Sequence, residues 1–121
     1  MNAYLLIAAG AAIGGVARFA VAMGVANLLG KDFPYGTLVV NVTGAFLIGI
    51  LSTQPAKFAE PFWIVGVLGG YTTFSAFSLQ SLQLLQEHRP LAAGIYMMGS
   101  VALCLAAVYM GQLLGRGMFR N

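Results

Sequence analysis

A chain of 121 residues in which 60% are apolar and 7% charged cannot clothe a water-facing surface, since soluble domains carry about 25% charged residues. Lipid is therefore its main solvent, and the length suits one transmembrane domain over residues 1–121. The net charge of +3 is spread over Arg18, Lys31, Lys57, Arg89, Arg116 and Arg120, with no cluster and no interleaved aromatics, which excludes a nucleic-acid partner and reads as anchoring at lipid headgroups.

Charges divide the sequence into four apolar segments, each near the roughly 20 residues a spanning helix needs. The first covers 3–29 and is interrupted only by Arg18. The N-terminal stretch MNAYLLIAAG lacks the basic region of a secretory leader, so it is expected to be part of the mature first helix. Gly10, Gly14, Arg18 and Ala22 recur every four residues and share one face. Glycines there allow close helix packing, whereas a charge at that depth marks a functional candidate. Arg18 reads as a structural or vestibule residue; direct ion contact, or a position at the membrane surface after an early helix end, are the alternatives.

Lys31 and Asp32 mark the first loop, and the second segment covers 33–56. It repeats the four-residue stripe with Thr37, Asn41, Ala45 and Gly49. An asparagine amide at that depth needs a partner; it either joins two helices or offers its donors to a passing anion. Lys57 and Glu60 bracket the next connection before the third segment, 61–86. Within it, Gly69-Gly70-Tyr71-Thr72-Thr73 makes a poor continuous helix. One expectation is a break whose freed carbonyls coordinate a cation; the other is a kinked helix whose threonines bond back to the preceding turn. Phe74 and Phe77 share a face amid Thr72, Thr73, Ser75 and Ser78, which suggests a narrow polar route. After Glu87, His88 and Arg89 comes the fourth segment, 90–115, where Tyr96 and Ser100 continue the polar line for one turn until Cys104 and Val108 end it. The lone Cys104 forms no intrachain disulfide and reads as a small hydrophobe.

With four spans, Lys57, Arg116 and Arg120 fall on one side, opposed by Lys31 and Arg89 with Arg18 nearer that end. The positive-inside bias is nearly cancelled. Either one charge decides the orientation, or the chain inserts both ways up and opposed copies pair about an axis in the membrane plane.

Gly14 to Arg18, the run Gly36-Thr37-Leu38-Val39-Val40-Asn41-Val42-Thr43-Gly44, and Gly69-Gly70-Tyr71-Thr72-Thr73-Phe74-Ser75-Ala76-Phe77 together resemble the Fluc family, the bacterial fluoride channels also called CrcB proteins. The resemblance covers the whole chain in length, helix count and motif order. It implies an all-α, four-helix protein of the bacterial inner membrane, with a broken third helix, working as an antiparallel dual-topology homodimer with two fluoride pores and a central structural Na⁺. Carried over by motif, Phe74 and Phe77 would line the pores, Asn41 would donate to fluoride, and Ser75, Tyr96 and Ser100 would supply the polar track. The carbonyls of Gly69 and Thr72 would hold the Na⁺, and Arg18 matches the first-helix arginine. Ala76 stands where the motif more often has Thr, and Cys104 and Val108 replace hydroxyl residues of some members, which shortens the expected track.

Three rival classes fit less well. A small multidrug exporter needs an acid within the membrane, whereas Asp32, Glu60 and Glu87 fall at segment ends. A non-conducting assembly subunit would need none of the polar residues. An enzyme would need a nucleophile, base and orienting group together, and the only histidine, His88, sits in a loop.

Overall fold

The computed structural model describes residues 2–55 and 61–118, and every regular element among them is helical. Lys57 and Arg120, two of the charges that bear on orientation, lie outside the described residues, as does Glu60. Helix α1 (Ala3–Leu29) begins where the Asn2 side chain accepts the Leu5 N–H at 3.0 Å, satisfying one of the orphan donors of a helix start. It runs uninterrupted past Arg18 to Gly30, whose φ of 90° only glycine takes freely. That continuity removes the alternative of an early helix end.

Helix α2 (Tyr35–Leu51) is 17 residues long and stops short of the expected segment end at 56. The cause is local: Ser52 and Thr53 hydroxyls donate to the carbonyls of Gly49 and Ile50 at 2.7 and 2.8 Å, and the Gln54 amide donates to Ile50 at 3.2 Å. Side chains that bond the preceding turn offer the backbone an exit from the helix.

The third apolar stretch, Phe62–Gln86, is 25 residues long. Its first part, α3, joins a π-helical run, Phe62–Leu68, to a short α-helical one, Gly69–Tyr71. Thr72 and Thr73 are extended, with φ/ψ of −81°/159° and −150°/119°. Helix α4 (Phe74–Gln86) starts after them, with Thr73 Oγ1 accepting the Ala76 N–H at 3.1 Å as its N-cap. In the following turn the Arg89 guanidinium donates to the Asp32 carbonyl, tying the two loops at this end together. Helix α5 (Pro90–Met118) opens on a proline, which suits a first helical position, and carries Arg116 in its last turn, where a cation complements the dipole.

Three helical stretches, α1, Phe62–Gln86 and α5, are long and apolar enough to cross a membrane; α2 sits at the short end of the spanning range of about 17–25 residues. Packing pairs α1 with α3 and α2 with α5, while α1 also contacts α2 and α4 contacts α5. Glycine permits both main crossings. A Cβ on Gly14 would lie 2.0 Å from the Val67 carbonyl oxygen, and one on Gly111 would lie 2.2 Å from that of Phe46, so any larger residue would force the backbones apart. The outer surface exposes Val16, Phe19, Leu28, Leu91, Met98 and Leu105, a surface that belongs in hydrocarbon rather than water.

Candidate functional site

The site grows from the extended Thr72/Thr73 pair, because backbone groups at membrane depth must find partners within the protein. Asn41 on α2 supplies two of them. Its Nδ2 donates to the Thr73 carbonyl at 3.0 Å, and its Oδ1 accepts the Thr73 N–H at 2.8 Å. The amide thus pairs with Thr73 as a neighbouring strand would, and its second hydrogen has no partner among the described residues. Arg18 Nε donates to the Gly70 carbonyl at 3.1 Å. Thr72 sends both its N–H and its hydroxyl back to Leu68, at 3.0 and 3.1 Å. The expected threonine back-bond therefore occurs together with extended backbone rather than instead of it.

Two carbonyls come out of this rearrangement differently. In an unbroken helix the Thr73 N–H would serve Gly69 and the Ala76 N–H would serve Thr72. Here the first goes to Asn41 and the second to the Thr73 hydroxyl. No hydrogen bond among the described residues reaches the Thr72 carbonyl. Gly69 and Thr72 both line an open cavity of about 380 Å³. Neutral carbonyl oxygens are suitable donors for a hard cation, so these residues fit the ion the family resemblance implies.

The same cavity gathers Asn41, Phe74, Phe77 and Ser100, and none of the described side chains lining it is charged. Phe74 is 78% exposed and so projects from the single chain; its ring centroid lies 5.6 Å from that of Phe77. Phe77 in turn lies 5.2 Å from Tyr96, whose buried hydroxyl donates to Gln80 Oε1 at 3.0 Å. Gln80 lines a second cavity of about 300 Å³ with Lys31, Asp32, Thr37, Gln83 and Glu87. The Phe77–Tyr96–Gln80 line thus connects a polar mouth at the helix ends to the uncharged cavity at the extended pair.

Ser100 is 5% exposed, and its Oγ has no hydrogen-bond partner among the described residues. Of the other expected residues, Ser75 is exposed, with its hydroxyl 3.2 Å from that of Thr73, and Arg18 lines neither cavity. Gln80 and Thr43 were not legible as site residues. The Thr43 hydroxyl donates to Val39 at 2.7 Å and stands 2.9 Å from the Tyr71 hydroxyl, so Tyr71 is the donor between them. Gly44, inside the second-helix motif, leaves the room that Thr72 Cγ2 fills: a Cβ there would be 2.4 Å from it.

These features define a small, multi-pass helical membrane protein whose spans meet at an uncharged polar site beside an interrupted backbone. The family described as CrcB-like protein, Camphor Resistance (CrcB), matches residues 5–112, and the chain belongs to it, as the motif resemblance implied. It is similar to proteins named fluoride-specific ion channel FluC: 46% identical to that of Opitutus terrae over 98% of this chain and 96% of the other. The corresponding protein of Rhizobium meliloti is 46% identical over 98% and 99%, and that of Paramagnetospirillum magneticum 44% over 93% and 94%. These relatives are channels, not enzymes.

Proposed function

We propose that the chain is a fluoride-selective channel of the bacterial inner membrane that lets F⁻ leave the cell down its electrochemical gradient and so limits fluoride toxicity. The observation that carries this reading is the cavity that, among the described residues, holds Asn41, Phe74, Phe77 and the unpartnered Ser100 hydroxyl without a lining charge. Fluoride is small, strongly hydrated and a strong acceptor. A path that strips its water must supply donors, and the free amide hydrogen of Asn41 with the hydroxyls of Ser100 and Ser75 does so, joined by Tyr96 where its hydroxyl turns from Gln80 to the ion. The positive edges of the Phe74 and Phe77 rings face an anion while excluding water. A fixed Lys or Arg would hold the ion, whereas conduction requires that it also leave.

In this reading the third span is a broken helix, four spans form one domain over 1–121, and two copies of opposite orientation pair about a two-fold axis. The high exposure of Phe74 supports pairing, since a second copy would cover it. The Gly69 and Thr72 carbonyls from each copy would hold one Na⁺ at the centre. When bound, that ion raises the potential for anions in both pores. Arg18 steadies the site by holding the Gly70 carbonyl.

Fluoride efflux from liposomes holding the purified protein, with chloride as control, tests the proposal. Fluoride leaves without chloride, and Phe77→Ile removes the flux. No fluoride loss through well-folded protein would overturn the channel reading and favour a non-conducting assembly subunit.

A further inference from the structure

Cys104 stands four residues beyond Ser100 on α5, so the two share a face, and both line the cavity of about 380 Å³ beside Asn41 and Phe77. The sulfur is free and its residue only partly buried. Whether that wall is dry or wet is decided by its neighbour. A helical serine ordinarily satisfies its hydroxyl by bonding the preceding turn. Ser78 and Ser81 do so, donating to the carbonyls of Phe74 at 2.9 Å and Phe77 at 2.7 Å. Ser100 does not, although it is 5% exposed and its Oγ has no protein partner. A buried hydroxyl left this way is costly unless water or an ion completes it, so the wall around Cys104 carries an open polar position.

We infer that Cys104 is a water-accessible thiol inside the ion path, and a modification site for neutral, thiol-directed alkylthio donors whose attachment closes the path. The inference rests on the channel reading for its effect on flux, not for the accessibility of the sulfur. The thiolate is the reacting form, and it does not arise in hydrocarbon, so a lipid-facing cysteine would stay inert. In the reaction the Cys104 sulfur attacks the sulfenyl sulfur of a methanethiosulfonate. A protein disulfide forms, the S–SO₂ bond breaks, the bonding pair leaves on methanesulfinate, and the thiol proton passes to water. The reagent itself is the oxidant.

Benzyl methanethiosulfonate is a suitable probe, because it is uncharged and adds a ring of the size of the phenylalanines already lining the cavity. Intact mass of the reconstituted protein should show one benzylthio group per chain. Fluoride efflux, read against each protein's own untreated rate, should fall about tenfold or more, since a filled path offers no parallel route, and dithiothreitol should restore it. Cys104→Ser and Cys104→Ala should show no adduct and no change in that ratio, either variant sufficing if the other fails to fold. Absence of an adduct on the parent would overturn the accessible thiol. An adduct that leaves efflux unchanged would overturn its place on the path. Absence of efflux before treatment would instead sink the channel reading, while the adduct measurement would still report on access to the sulfur.

Discussion

Two of the close contacts that helix α2 makes with its neighbours are built on opposite physics. At the crossing with α5, Gly49 and Gly111 let two continuous helices touch backbone to backbone: a Cβ on either would stand 2.3 or 2.2 Å from a carbonyl oxygen of the other helix. Neither helix gives up its own ladder, so the contact is steric. At the Thr72/Thr73 pair the ladder is interrupted, and one amide side chain replaces what two peptide groups have lost. Crossings of the first kind depend on missing atoms, and sites of the second kind depend on particular atoms being present. The second kind leaves polar groups over, and these line the cavity.

Substitutions at each place separate the two mechanisms. Asn41→Leu keeps side-chain bulk but leaves the part-buried Thr73 N–H and carbonyl unpaired, at up to about 1–3 kcal/mol for each group, so a loss of about 2–5 kcal/mol is expected. Thermal unfolding in detergent, followed by Trp63 fluorescence, measures it; parent-like stability would show that water replaces the clamp. Gly111→Ala is expected to lose about 1–3 kcal/mol by overpacking in the same assay. Gly94→Ala or Gly99→Ala, where an added Cβ meets nothing within 4 Å, should instead gain about 0.5–1 kcal/mol from helix propensity. Equal behaviour of the two glycine classes would dissolve the steric account. The smallest loss is expected for Arg18→Leu, which removes one bond from a part-buried guanidinium to the Gly70 carbonyl, at about 1.5 kcal/mol, the low end for a charged donor. A much larger loss would mean that the guanidinium supports more of the interrupted segment than Gly70.

Much of this architecture is legible in the residues themselves. Charges and prolines bound the apolar segments, and the four-residue stripe of Gly10, Gly14 and Arg18 does face the third span. What stays hidden depends on partners distant in the chain or on choices among equivalent local bonds. The early end of α2 comes from where Ser52, Thr53 and Gln54 send their donors, and no periodicity reports that. The π-helical winding of Phe62–Leu68 goes with backbone contact: a Cβ on Gly66 would lie 3.0 Å from the Gly10 Cα, and one on Gly70 would lie 2.7 Å from the Ala11 oxygen. Asn41 reads equally as a helix joiner or an anion donor, and its bonds to Thr73, 32 residues away, show the first role without using up its last hydrogen. Ser78, Ser81 and Ser100 are the same residue type in helices, yet only the structure shows that the third keeps its hydroxyl out of the backbone.

The clamp of Asn41 on Thr73 also bears on how the protein matures. Both of its partners belong to one polypeptide, and Arg18 on the first helix reaches Gly70 in the same copy. A single chain thus closes most of this segment from within itself, with the Thr72 carbonyl left over. If two copies pair as proposed, insertion and assembly are separable steps for this part of the molecule.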